Sequence, residues 1–507
     1  MTEDWQPRTL GQYLAAQVVS RPDAEALVTP TARLTWRQLS DRAHAAAGGM
    51  KAMGLAKGDH VAILMPNGED WITLFYGAAL LGAVTVPVNT RFKASELAYC
   101  LKQSDCKALF YVESFLKNDF AAMVREVRGE CPKLEHALTQ VPSGAFEGIA
   151  PPSPEDLLLI QFTSGTTAYP KGVMLTHDSM LRNAHASGAR IGITQDDRYF
   201  NCRPFFHVGG STLSALMALV HGACLVTPET FDAGQALEMM ERERCTLTSG
   251  NDTIFQMLMG HPDFPKRKLV LRGGWAAAGP ETMKRIIHVL GAKHICAAYG
   301  LSEASPNVAM SDWRDAEELR VAGLATPHEG LHLRTVDGEI QVRGWSVMRG
   351  YWNNPEATAK ALDEDGWLHT GDLGELLPGG RLRMVGRLKD VFRVGGENVA
   401  PAEVEEVLLS HAAVETAQVI GVPDARLGEV PCAYVKLKAG ASATEDELVA
   451  HVKARAANFR VPRYLRIVPG FDAIGMTASG KVQKTKLREH ALVEFGLGAA
   501  SGGDARR

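Results

Sequence analysis

Along the first half of the chain, short apolar runs the length of a strand alternate with segments the length of a helix. That alternation narrows the fold more than any other feature. Residues 61–65, 84–88 and 106–111 read as strands, and 71–81 and 95–102 between them read as helices. Strands separated by helices run parallel, because the crossover that a parallel pair needs is supplied by the helix, which then covers a face of the sheet. The long apolar stretch 72–88 is interrupted by Gly77, Gly82, Thr85 and Pro87, so it reads as a helix running into a strand and not as a membrane span. With 507 residues, the chain exceeds one core of ordinary size, and at least two domains are expected. Residues 331–382 change character: short strands such as 339–342 lie between Gly, Asn and Pro turns, which predicts a smaller antiparallel element. A Pro-rich stretch at 141–154 reads as an exposed connector. Beyond Gly386 the chain has its own helix, 402–409, and its own strands, so a domain boundary is placed there.

Charge and cysteine usage exclude several classes of function. A formal net charge of −4 argues against a broad basic surface for nucleic acid. The eight cysteines are scattered without a Cys-x-x-Cys pair, which predicts reduced, buried thiols rather than a zinc site. The N-terminus carries Glu3 and Asp4 where a signal peptide needs positive charge, so a cytoplasmic location is expected. From Gly496 on, the small residues have little to bury, and a frayed tail is expected.

The most informative segment is Thr163-Ser164-Gly165-Thr166-Thr167-Ala168-Tyr169-Pro170-Lys171-Gly172, directly after the apolar run 157–160. It reads as the loop leaving a buried strand. Glycines let backbone N–H groups approach an anion, hydroxyls donate to its oxygens, and Lys171 adds charge. It is not the P-loop of kinases and GTPases, which places Ser or Thr after Gly-Lys. Tyr299-Gly300-Leu301-Ser302-Glu303 offers an aromatic face for a purine, a hydroxyl for phosphate and a carboxylate for Mg²⁺. Thr370-Gly371-Asp372 offers a carboxylate on a tight turn, suited to ribose hydroxyls, or simply a turn-capping Asp. Gly386-Arg387-Leu388-Lys389-Asp390 is followed by Gly395-Gly396-Glu397 and a helix start at Pro401, a pattern that suits a mobile element. Thr477-Ala478-Ser479-Gly480-Lys481 sets a lysine on a small-residue loop.

Taken together and in this order, these segments resemble the adenylate-forming superfamily of acyl-CoA synthetases, firefly luciferase and nonribosomal-peptide adenylation domains, over nearly the entire chain. The resemblance implies a multidomain α/β fold. A large N-terminal adenylation domain, 1–386, would carry two parallel α/β sheets and a small β-barrel-like element. A small mobile C-terminal α+β domain would span 387–495, with a flexible tail at 496–507.

It also implies an ATP-dependent acyl-CoA synthetase that joins a carboxylic acid to AMP and then to coenzyme A, with Mg²⁺. Thr163, Ser164, Gly165, Thr166, Thr167 and Lys171 would hold the β and γ phosphates, Tyr299 and Gly300 the adenine, Ser302 the α-phosphate and Glu303 the magnesium. Asp372 and Arg387 would hold the ribose. Lys481 would bridge the attacking carboxylate and the α-phosphate, Lys389 would be the hinge, and Gly395 and Gly396 would line the CoA channel once the small domain has turned.

His207, Val208, Gly209, Gly210, Gly273, Gly274 and Trp275 match family segments that wall the acyl pocket. Here Gly209 and Gly210 are expected to leave room, while Phe205, Phe206 and Trp275 make the wall apolar, which favours a fatty, aryl or cyclic acid. Asp252 is the one nearby carboxylate that an amino-acid substrate would need, and it reads more simply as a turn or helix-cap residue. Three positions depart from the family pattern: Ala168 for glycine, Ser302 for threonine, and Ile474-Gly475-Met476 before the Lys481 loop. An adenylating ligase that loads a carrier-protein thiol, and a non-catalytic nucleotide-binding homologue, stay as alternatives. A homodimer is left open.

Overall fold

The computed structural model describes residues 5–147, 150–163, 170–476 and 482–497. Among them, one large sheet runs in the order Thr326–Pro327, Asn307–Met310, His294–Gly300, Gly273–Ala277, Leu247–Asn251, Arg198–Phe200, Cys224–Val226, Glu25–Val28 and Arg33–Thr35. Its strands are parallel from His294–Gly300 to Glu25–Val28, and antiparallel strands close both edges. A second sheet is ordered Lys171–Thr176, Leu157–Thr163, Val84–Pro87, His60–Leu64, Ala108–Tyr111 and His136–Leu138. It too is parallel except for its first pair. The alternation read in the sequence is therefore the parallel heart of this second sheet.

The helix that imitates a membrane span, Glu69–Leu81, is a core helix with residues 71–79 buried. It lies against helix Trp36–Ala52, and the contact is close because Gly77 has no side chain: a Cβ there would sit 2.9 Å from Ala46 Cβ and 3.0 Å from the Ala43 carbonyl. Gly82 at φ +77° ends the helix and turns the chain directly into Val84–Pro87, a left-handed conformation that glycine adopts without strain. Among the described residues, no helix is long and apolar enough to cross a membrane.

The expected antiparallel element is a meander of Leu331–Val336, Glu339–Gly344, Leu368–Leu377 and Arg381–Arg387. One expectation fails inside it. Thr370-Gly371-Asp372 is not on a tight turn but within strand Leu368–Leu377. Gly371 takes φ +67° where the register to Glu339–Gly344 slips, so a bulge, and not a turn, aims Asp372.

The smaller C-terminal domain has its own sheet, in which Glu397–Val399, Phe392–Val394, Gly428–Leu437 and Val414–Asp424 are antiparallel and Tyr464–Ile467 lies parallel to Gly428–Leu437. Helices Pro401–Leu409 and Glu445–Lys453 cover one apolar cluster and Lys484–Glu494 another. A hydrogen bond of 2.8 Å between Thr416 and Gln256 links this domain to the large one.

The connector 141–154 is more tied down than its composition predicts: Gly144 N–H donates to the Ala45 carbonyl at 2.9 Å. Cβ atoms at Gly48 and Gly49 would collide with its backbone at 2.1 and 2.4 Å, so two glycines of helix Trp36–Ala52 let the connector lie directly on the helix. All eight cysteines are buried and free.

Candidate active site

The strand Leu157–Thr163 returns as Lys171–Thr176, with Thr163 opposite Lys171, so these two residues are the jaws of the hydroxyl-rich loop. Ser164, Gly165, Thr166, Thr167 and Ala168 lie outside the described residues, as does Lys481. The returning strand is fixed on its other side by residues 349–352. Trp352 N–H donates to the Gly172 carbonyl at 2.7 Å, and Met174 N–H to the Gly350 carbonyl at 3.0 Å. This brings Tyr351 beside the loop. The Lys171 ammonium lies 4.9 Å from the centre of its ring, within cation–π range, and its hydroxyl donates to Glu303 Oε1 at 2.9 Å. Burial, and then the Glu303 charge, push the Tyr351 phenol upward, so it stays a donor.

Tyr299 and Gly300 end the strand His294–Gly300, and Ser302 and Glu303 open a short 3₁₀ turn. Gly300 is required by close approach: a Cβ would stand 2.1 Å from the Pro306 carbonyl. From the other end of this segment, Tyr299 O–H donates to Asp372 Oδ2 at 3.0 Å, and Arg387 Nε lies 3.2 Å from Asp372 Oδ1. Asp372 and Arg387 are partners across adjacent strands, and Asp372 is 4 % exposed. Its N–H donates to Thr370 Oγ1 at 3.1 Å, while Gly371 N–H donates to Glu339 Oε1 at 2.9 Å. Burial raises the Tyr299 phenol well above its ordinary value, with Asp372 adding to it. The five residues from Tyr299 to Glu303 thus join an Asp–Arg pair on one side to the jaws of the loop on the other.

The presumed acyl wall differs from its reading in the sequence. His207 accepts from the Gly209 N–H at 3.1 Å through Nδ1 and caps a short helical turn. Burial, then the neighbouring Arg203 charge, lower its pKa to about 3, so it is neutral at physiological pH. The room expected at Gly209 and Gly210 is taken by the protein itself: a Cβ at Gly209 would lie 2.4 Å from Arg203 Nε, and one at Gly210 2.2 Å from the Pro204 carbonyl. Gly273 and Gly274 likewise serve sheet packing, since a Cβ at Gly274 would fall 1.7 Å from the Thr248 carbonyl. Phe205 is not part of a wall. It is fully buried against Trp71, with ring centres 5.1 Å apart, whereas Phe206 is partly exposed. Val208 is buried in the core. Trp275 donates from Nε1 to the Tyr199 hydroxyl at 2.9 Å, and Arg203 Cζ stands 5.2 Å from the centre of its ring. Asp252 accepts from the Gly279 N–H at 3.2 Å in the first turn of helix Asp252–Gly260, which fits its structural reading.

In the C-terminal half, Lys389 sits in the 3₁₀ turn Leu388–Asp390, between the last strand of the meander and the first strand of the small domain. Burial, followed by Arg387, lowers its pKa. Gly395 and Gly396, at φ +59° and +100°, form the two-residue turn of the hairpin Phe392–Val394/Glu397–Val399. Two successive positive φ values are what such a turn demands.

Tyr351 and Arg203 escaped the reading of the sequence. Tyr351 carries no local mark, because its partners come from the loop strand and the Glu303 turn. Arg203 did carry a signal, a charge inside the apolar run before His207 with no acid beside it.

The chain matches the family model described as AMP-binding enzyme over residues 14–352 and that described as AMP-binding enzyme C-terminal domain over residues 403–481. It is 38 % identical to a 3-[(3aS,4S,7aS)-7a-methyl-1,5-dioxo-octahydro-1H-inden-4-yl]propanoyl:CoA ligase of Mycobacterium tuberculosis, over 95 % of this chain and 99 % of that one. It is 33 % identical to the mitochondrial medium-chain acyl-CoA ligase ACSF2 of Rattus norvegicus, over 95 % and 87 % respectively. Among solved structures, the anthranilate CoA ligase AuaEII in complex with anthranoyl-AMP superposes with a TM-score of 0.90 at 26 % identity, covering 98 % of this chain and all of that one.

Proposed function

The chain belongs to the AMP-binding enzyme family and is an acid–thiol ligase, and from that premise we propose how its residues divide the two steps of acyl-CoA synthesis. In the first step a carboxylate oxygen attacks the α-phosphorus of ATP and the bond to pyrophosphate breaks. In the second, the CoA sulfur attacks the acyl carbon, AMP departs with its oxygen, and the thiol proton passes to solvent. The acid is hydrophobic: fatty, aryl or cyclic.

One observation carries the assignment of residues. The segment 299–303 ties the Asp372–Arg387 pair, through Tyr299, to the loop jaws, through Glu303 and Tyr351. Asp372 and Arg387 hold the ribose hydroxyls, a carboxylate and a guanidinium being an acceptor and a donor for them. The Tyr299 ring, tethered by its hydroxyl, stacks on adenine beside Gly300, and Ser302 meets the α-phosphate. Thr163, Lys171 and the residues between them embrace the β and γ phosphates. Glu303 would hold Mg²⁺: a single carboxylate beside a phosphate loop fits an ion that binds through one or two carboxylates plus substrate phosphates. That ion would neutralise phosphate charge. Lys481 meets the attacking carboxylate, and the small domain, residues 387–495, turns about Lys389 so that Gly395 and Gly396 replace that lysine and admit the pantetheine arm. The relatives are CoA ligases, which disfavours transfer to a carrier protein.

Pyrophosphate release measured over a panel of fatty, aryl and cyclic acids, with and without CoA, tests this reading. CoA-dependent AMP formation on at least one hydrophobic acid is expected. Silence on every acid would overturn it, and ATP–pyrophosphate exchange without CoA turnover would return the carrier-protein alternative.

A further inference from the structure

Arg203 is a charged residue near His207 whose chemistry the two steps above leave unused. Its Nε and Nη1 are buried and have no hydrogen-bond partner among the described residues. Its guanidinium is packed between the Gly209 backbone, which is bare of a side chain where Nε lies, and the face of Trp275. Trp275 is in turn held by Tyr199, whose hydroxyl donates to the Leu213 carbonyl at 2.9 Å. The arginine is therefore positioned, but among the described residues no carboxylate meets its buried Nε and Nη1. The ionisable groups that act on it are Cys202 and Tyr199, not a carboxylate, and both are themselves held neutral by burial. An arginine stays protonated, and although the side chain as a whole is only part-buried, its two buried, unpartnered nitrogens are unfavourable unless something meets them. A ligand oxygen could do so. Close by, Thr212 Oγ1, on the helix that His207 starts, and Gln161 Oε1, whose amide donates to the Phe206 carbonyl at 2.9 Å, are also buried without partners.

Resting on the proposed ligase reading, we propose that Arg203 is a specificity residue, and that the acid this enzyme activates carries a second oxygen acceptor, a ketone or a second carboxylate, apart from the carboxyl that reacts. The body of the acid is hydrophobic, as Trp275 and Phe206 require, and its extra oxygen meets the guanidinium. A plain hydrocarbon acid of the same shape leaves the charge unanswered and pays that penalty in binding.

The test compares three acids of matched carbon skeleton: a plain one, one with a distal ketone and one with a distal carboxylate. Wild-type enzyme should favour one of the two oxygenated acids by about 10²-fold or more in kcat/KM, as sites built to bond a substrate oxygen do. Which acid wins distinguishes the ketone from the carboxylate. Arg203→Met, of similar shape without the charge, should cut that preference at least tenfold, mainly through KM, and leave the plain acid unimpaired. Arg203→Lys keeps a charge without the planar fork and should retain part of the preference. Should Arg203→Met not fold, the wild-type preference and the Lys variant decide the matter. Equal use of all three acids by the wild type, or an equal loss on the plain acid in Arg203→Met, would overturn the proposal while leaving the ligase reading intact. No AMP from any acid would instead sink the ligase reading.

Discussion

The segments proposed to bind the nucleotide and those proposed to wall the acid differ in how their polar and charged groups are partnered. Around the segment 299–303 the charged groups are partnered: Asp372 is met by Tyr299 and Arg387, and Glu303 by Tyr351, although Trp352 Nε1 beside the loop strand is buried without a partner among the described residues. Near His207 the side chains of Arg203, Thr212 and Gln161 bury polar atoms that have no partner among the described residues. On the proposed reading the contrast follows from what each side binds: ATP is common to every turnover, so the groups that hold it can be oriented in advance. On the same reading the acid varies, and unpaired groups beside it would convert a missing oxygen into a penalty.

Each side of that contrast can be broken separately. The largest effect is expected at the residue both sides share: Lys481→Ala should slow adenylate formation on the order of 10²–10³-fold yet spare thioester formation from supplied acyl-adenylate. Lys389→Pro should do the reverse, since proline fixes φ at the pivot. Single-turnover rates for each half-reaction check the pair, and equal losses in both steps for both variants would refute the alternation. On the nucleotide side, Tyr351→Phe removes a hydrogen bond to a charged carboxylate, worth about 1.5–3 kcal/mol. It should raise the apparent KM for Mg-ATP by roughly tenfold or more while leaving the ranking of acids unchanged; a changed ranking would blur the division. On the acyl side, Thr212→Val replaces an unpartnered hydroxyl with a methyl group of similar shape. It should be neutral or stabilise by about 1 kcal/mol, seen as an unchanged or slightly higher Tm, and a marked loss would mean that the hydroxyl has a partner after all.

The smallest effect is an expected flatness. With its pKa lowered to about 3, His207 binds no proton in the folded state until the pH falls near 4. His207→Asn should therefore leave the shape of the pH–rate profile between pH 5 and 8 unchanged. The same depression makes His207 a stability term that is complete above its unfolded pKa near 6.5 and lost as the pH falls toward 3, because the unfolded chain then takes up the proton first. Removing the histidine should accordingly soften the acid decline of Tm.

Much of this was open to a reader of the sequence. The parallel sheet comes from strand-length and helix-length runs whose period is a local property of the chain. The residues proposed to carry nucleotide chemistry stand in compact segments: Tyr299 to Glu303 within five residues, and Asp372 behind the glycine whose positive φ aims it. What the sequence could not assign is what depends on atoms far apart along the chain. The glycines at 209 and 210 look like space for a substrate until Arg203 and Pro204 are found filling it, and Phe205 looks like a pocket wall until Trp71 is found against it.

The order of residues by itself determined the fold class and singled out the segments proposed to bind the nucleotide, because periodicity, turn chemistry and clustered motifs are written within a few neighbours. Only the tertiary structure decided which hydroxyl steadies Glu303 and which guanidinium nitrogens are buried without a partner among the described residues. Partnership is a matter of distance and burial, and the contacts that satisfy or abandon a polar atom are made by strands that the sequence keeps far apart.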